Sequence, residues 1–100
     1  MIELLKKQHA LNLWRAAICA TPAFVLAHHG LIGTATVTGY PGTQSQLPAG
    51  QVSQQRVVVD QPNKLITSQG PATSIDFALA IVAALQGEET ADQVRKDMLA

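Results

Sequence analysis

Ala16-Ala17-Ile18-Cys19-Ala20-Thr21-Pro22-Ala23 is the stretch that decides the fold. Residues 13–18 before it read as a short buried strand, with Trp14 and Ile18 among alanines. Residues 21–29 after it read as a helix. Pro22 suits the first turn of that helix, where a missing N–H costs nothing. Gly30 suits its end, where a left-handed residue is wanted. A nucleophile on so tight a strand-to-helix turn needs small residues two positions to either side, and Ala17 and Thr21 meet that demand. The Cys19 thiol then lies over a helix N-terminus, whose dipole favours the thiolate. The N–H of Ala20 points toward an oxyanion formed by attack. The same residues also fit a plainer reading, in which Cys19 is a small buried hydrophobe at a strand end.

Outward from this bend the chain alternates strands and helices. Residues 2–11 read as a helix with Ile2, Leu4 and Leu5 on one side and Lys6, Lys7 and Gln8 on the other, and Asn12 can end it. Residues 34–38 are a β-branched run and a predicted strand. Residues 39–55, rich in Gly, Pro, Gln and Ser, read as a long loop with room for one helical turn. Residues 56–59 and 65–67 are short strands, and Asp60-Gln61-Pro62-Asn63-Lys64 between them forms a hairpin turn. After a Gly-Pro turn, Thr73 starts a helix with Asp76 at capping-box spacing. That helix ends at Gly87. Its Ile75, Phe77, Leu79, Ile81, Val82 and Leu85 leave hardly any polar face, which predicts packing on a sheet and also on a second element or subunit. A last helix over 88–99 has acids first and Arg95 and Lys96 late, as the macrodipole favours. Asp92 and Lys96 are spaced for an ion pair, and Trp14, Phe24 and Phe77 read as core.

Composition narrows the function. One hundred residues suffice for one domain. Lys plus Arg is 7 and Asp plus Glu is 7, so the net charge is zero and the basic face expected of a nucleic-acid binder is missing. Residues 16–55 carry no charged side chain. Pro22, His28, His29 and Gly30 nevertheless interrupt them well short of the ~20 apolar residues of a membrane span. Residues 1–7 do not read as a signal peptide. A single cysteine cannot form an internal disulfide, so the expected setting is reducing and cytoplasmic.

A second segment bears on the bend: Leu65-Ile66-Thr67-Ser68-Gln69-Gly70-Pro71-Ala72-Thr73-Ser74-Ile75-Asp76-Phe77-Ala78-Leu79. Together with the Cys19 stretch and Thr38-Gly39-Tyr40-Pro41, it resembles the ThiJ/PfpI superfamily, nearest its bacterial ThiJ-type branch. The resemblance runs from about Ile2 to Leu99. It implies an α/β fold: a flavodoxin-like sandwich of the class I glutamine amidotransferase-like kind, with residues 1–100 as the C-terminal part of one domain, incomplete at the N-terminus. It implies Cys19 as nucleophile or redox-sensing thiol, with Ala20, Tyr40, Gly70 and Pro71 as oxyanion site and pocket wall. The implied activities are glutathione-independent glyoxalase, deglycation of early dicarbonyl adducts, and a chaperone-like response to oxidation. The implied partners are small reactive aldehydes or glycated groups and a second copy of the chain, without nucleic acid, membrane, metal or cofactor.

Two departures from the family pattern matter. No residue here matches the glutamate that hydrogen-bonds the family's cysteine, since Glu3 belongs to a solvated helix. The implied activity is therefore impaired in this chain. Tyr40 stands where animal relatives carry histidine, and Ala20 stands where the protease-like branch carries one, which counts against a peptidase. A non-enzymatic sensor or chaperone of the same fold is the alternative function, and an inactive remnant a third. His28 and His29 read as a helix C-terminus rather than a metal pair, for want of a third ligand at suitable spacing. His9 reads as solvated.

Overall fold

The computed structural model describes residues 1–100. Helix α1 spans Ile2–Ala10 and strand β1 spans Arg15–Ile18. Between them Asn12 turns the chain at φ +51°, in the left-handed region that Asn tolerates. After β1 come a π-helical segment, Pro22–Ala27, and a 3₁₀ segment, Pro41–Gln46. Strands β2 (Val57–Asp60) and β3 (Leu65–Ser68) follow, then a 3₁₀ turn at Pro71–Thr73 and helices α2 (Ser74–Gln86) and α3 (Glu88–Asp97). Gly30, beyond the π-helical segment, takes φ +70° as the sequence predicts.

The strands form one sheet in the order β1-β3-β2. β1 runs parallel to β3, with Arg15 opposite Leu65 and Ile18 opposite Ser68. β2 runs antiparallel to β3, with Val57 opposite Ser68 and Asp60 opposite Leu65. β3 is central and buried along its whole length, as a strand covered on both faces must be. The hairpin turn is held by Asp60, whose Oδ1 accepts both the backbone N–H and the side-chain amide of Asn63 at 3.0 Å. Its Oδ2 accepts the Thr36 N–H at 2.8 Å. Burial by itself would raise this carboxyl, but the hydrogen bonds from Thr36 and Asn63 outweigh it and hold the group below its ordinary range.

The core lies on one face of the sheet. Ala17 and Leu65 pack there with Leu26, Leu31, Ile32 and Val37. On the other face α2 covers β3 and part of β2.

Several expectations are corrected. The run at 34–38 makes no ladder; only Val37 pairs, in an isolated parallel bridge with Val52. Its neighbours' donors go to side chains instead: Thr36 N–H to the Asp60 carboxylate and Thr38 N–H to Thr67 Oγ1 at 2.9 Å. The Thr73/Asp76 capping box is not formed. Thr73 Oγ1 bonds back to Gly70, and Asp76 lies between Arg56 (3.5 Å) and Arg95 (3.9 Å). With Arg95 turned to Asp76, it is this contact between α2 and α3, not the Asp92–Lys96 pair, that forms. The core is aliphatic: Phe24 is 53% exposed, and Trp14 and Phe77 are only half-buried. Trp14 borders an open groove with Ile81 and Leu85 that nothing in the chain fills.

His9 is not simply solvated either. Its Nδ1 lies 2.7 Å from an Arg15 guanidinium nitrogen. Arg15 is 6% exposed and also donates to the carbonyls of Leu13, Leu31 and Asn63. Burial pulls its pKa below the usual guanidinium value. One side chain thus joins α1, β1, the segment after the π-helix and the hairpin turn.

Candidate functional site

β1 ends at Ile18, and the next residue carries the bend. Cys19 has φ +64°, a left-handed conformation that costs a residue with a Cβ about 1–2 kcal/mol. Such strain persists only where the surroundings over-determine it. Here two backbone hydrogen bonds clamp the residue. Its N–H donates to Ser68 O at 3.0 Å, extending the β1–β3 ladder by one position. Its carbonyl accepts the Tyr40 N–H at 2.7 Å. Gly39 suits the second clamp: a Cβ there would sit a tight 3.3 Å from the Cys19 carbonyl oxygen and 3.6 Å from Pro22. The thiol is neither sealed in the core nor fully exposed.

Past the bend, the Ala20 carbonyl accepts the Phe24 N–H at 2.9 Å, which starts the π-helical segment. The Ala20 N–H donates to no backbone acceptor. No side-chain acceptor takes it either, so it is an unpaired donor next in chain to Cys19. The segment that follows has only six residues, so its macrodipole is slight beside that of the longer helix expected from the sequence.

Tyr40 is 49% exposed. Its carbonyl accepts both the N–H and the hydroxyl of Thr43 at 2.8 Å, which fixes the start of the 3₁₀ segment. The Gly70 position faces the Tyr40 ring, since a Cβ on Gly70 would lie 3.9 Å from Tyr40 Cδ1. The structure thus brings Cys19, Tyr40 and Gly70 into one neighbourhood, with Ala20 next in chain and Pro71 exposed at the head of its turn. Sequence reasoning missed Gly39 as a contact residue. A glycine at the head of a loop rich in Gly and Pro carries no signal of its own, and only the fold shows its approach to Cys19.

Other chemistry-bearing groups lie apart. Asp60 serves the hairpin turn, and Asp76 bridges two arginines. His28 and His29 are exposed and stack edge to face at 5.0 Å, and no cluster of three or more His, Cys, Asp or Glu assembles that could hold a metal ion. A cavity of about 300 Å³ opens between β2, α2 and α3, lined by Val59, Asp76, Leu79 and Arg95, and shares no residue with the Cys19 bend. No helix is long and apolar enough to cross a membrane.

The chain matches known proteins along nearly its whole length. Residues 1–84 match the DJ-1/PfpI family. The chain is 43% identical over 100 residues to the Parkinson disease protein 7 homolog of Danio rerio, covering 97% of this chain and 51% of that protein. It is 34% identical over 97 residues to glutathione-independent glyoxalase DJR-1.2 of Caenorhabditis elegans, covering 96% of this chain and 50% of that one. The solved structure of oxidized Toxoplasma gondii DJ-1 superposes with a TM-score of 0.93 at 38% identity, over 98% of this chain and 52% of that chain. The chain spans about half the length of these relatives. Its α/β architecture is theirs, flavodoxin-like as the resemblance implied. A strand, a cysteine bend and a Gly-Pro turn in this arrangement, with matches of this extent, place the chain in the DJ-1/PfpI family.

Proposed function

We propose that Cys19 is the nucleophile of a DJ-1/PfpI-type site acting on small reactive carbonyls, in the manner of a glutathione-independent glyoxalase or deglycase. The observation that carries this reading is the left-handed Cys19, clamped at both its N–H and its carbonyl, with the Ala20 N–H free beside it. Strain of this kind clusters at functional sites.

With methylglyoxal the thiolate attacks the aldehyde carbon, forming a C–S bond and an alkoxide that takes up a proton to give a hemithioacetal. The Ala20 N–H supports the alkoxide. The C1 proton then moves to C2 through an enediol, which oxidises the former aldehyde carbon and reduces the ketone. Water cleaves the resulting thioester, releasing lactate and the thiolate. The C1 transfer needs a base. The family's glutamate has no counterpart here, so this chain alone forms the adduct readily and turns it over slowly. Ala20, Tyr40, Gly70 and Pro71 shape the carbonyl's position. The site works in a homodimer of the assembled domain, in a reducing compartment.

Lactate formation from methylglyoxal, compared between the wild type and Cys19→Ser, tests catalysis: the wild type should exceed the variant, and equal rates would end the claim. Partial exposure of the thiol favours a second reading, in which Cys19 senses oxidation. Under mild peroxide, mass spectrometry should find Cys19 oxidised in the folded chain. A thiol that oxidises only after unfolding rules sensing out.

A further inference from the structure

Ser68 and Thr73 are buried hydroxyls that the proposed chemistry leaves unused. Ser68 is fully buried and Thr73 is 5% exposed. Their oxygens lie 2.5 Å apart. Ser68 Oγ also reaches the Arg56 carbonyl at 2.7 Å, and Thr73 Oγ1 reaches the Gly70 carbonyl at 2.8 Å while accepting the Gly70 N–H at 3.2 Å. Each hydroxyl has one proton. Two protons therefore face three acceptors, the two carbonyls and the partner hydroxyl, so one of the three contacts carries no proton at any moment. Removing the Thr73 hydroxyl leaves the buried Gly70 N–H without its acceptor.

This pair sits behind both clamps of the Cys19 bend. The Ser68 backbone carbonyl is the acceptor of the Cys19 N–H. Gly70, pinned through Thr73, backs the ring of Tyr40, and the Tyr40 N–H holds the Cys19 carbonyl. Two routes thus run from one hydroxyl contact to the two ends of a single strained residue. The Thr73 side chain caps no N–H of α2; it closes a capping box on the 3₁₀ turn before α2 by accepting the Gly70 N–H, and so fixes Gly70 in place.

We propose that the Ser68–Thr73 hydroxyl pair positions Cys19, holding its left-handed bend from both sides. Neither residue touches substrate; both act through backbone. The proposal deepens the nucleophile reading and rests on it.

The test uses Thr73→Val, which keeps the branched shape and removes the hydroxyl, and Thr73→Ser, which keeps the hydroxyl. Amide hydrogen exchange is followed at Cys19 and Tyr40, with Val58 and Ile66 as core references. The rate of methylglyoxal adduct formation is measured in parallel. Thr73→Val should speed exchange at Cys19 and Tyr40 about fivefold beyond any change at the references, as expected for one lost hydrogen bond. Adduct formation should slow by a similar factor, and Thr73→Ser should restore both. Exchange that rises equally at all four amides means general destabilisation and overturns the proposal. So does an unchanged adduct rate, or a Thr73→Ser variant as impaired as Thr73→Val. A wild-type chain that forms adduct no faster than the same chain unfolded in urea overturns the nucleophile reading itself, a separate failure that is visible before any variant is made.

Discussion

The strained cysteine makes an unusual demand on substitution. In an ordinary strand, Gly in place of Ala destabilises by about 0.5–1 kcal/mol, because Gly loses more backbone freedom on folding. At position 19 the ranking should invert. With φ at +64°, any residue bearing a Cβ carries a penalty of about 1–2 kcal/mol that Gly escapes. Setting that relief against the entropy of Gly leaves Cys19→Gly more stable than Cys19→Ala by about 0.5–1 kcal/mol. For a domain of this size that is a difference of about 2–8 °C in midpoint. Comparing Gly with Ala, rather than with Cys, keeps loss of the sulfur out of the difference. The control is Ala17, two residues earlier in β1 and 5% exposed, where Gly should be less stable than the wild-type Ala. Thermal and urea unfolding of Cys19→Gly, Cys19→Ala and Ala17→Gly would settle the ranking. If Cys19→Ala equals or exceeds Cys19→Gly in stability, the bend is not held left-handed in solution, and the geometric case for a nucleophile fails with it.

Two further expectations concern what holds the bend's surroundings. Arg15→Ala should cost about 2–4 kcal/mol in urea unfolding, since it strips donors from the Leu13, Leu31 and Asn63 carbonyls and unties His9; a loss below about 1 kcal/mol would show that water replaces the guanidinium readily. Asp60 sets a pH dependence: its carboxyl is held below the unfolded value, so its contribution is complete above the unfolded pKa and disappears as pH falls through the folded one. Acid titration of stability should therefore be shallower in Asp60→Asn than in the wild type, and parallel curves would contradict the assignment.

The parts of the fold that the sequence made legible are those decided by a few adjacent residues. Asp60 and Asn63 close their own turn through one carboxylate, and the composition of 60–64 says so. Gly30 takes the left-handed end that a glycine after a helix announces. The Cys19 bend was readable because a pinched turn admits only small neighbours. What resisted reading was decided at long range. Thr73 and Asp76 have the spacing of a capping box, yet Gly70 and two arginines from other elements claim their side chains first. The 34–38 run has strand-forming residues, but Asp60 and Thr67 take the donors a ladder would need. Arg15 looked like a strand residue with nothing to say, and only the fold shows it collecting carbonyls from three places.

The exposure of the aromatic residues and the definite geometry of the Cys19 bend have one reason in common. Periodicity records where a side chain is suited to lie, and α2 is apolar all round, yet Ile75 is 50% and Leu85 57% exposed. β1 has a strand on one side only, and the groove beside Trp14 is open. Relatives that superpose on this chain are about twice its length; within these 100 residues the apolar pattern and the exposure do not match. The Cys19 bend escapes this mismatch because both clamps, Ser68 and Tyr40, come from within those residues. Its backbone geometry depends on β3 and on the Gly39–Tyr40 segment, not on whatever meets the open face of β1. The bend can therefore keep its shape in a chain whose apolar surfaces are only partly covered, whereas the turnover proposed for it needs a base that this shape alone does not supply.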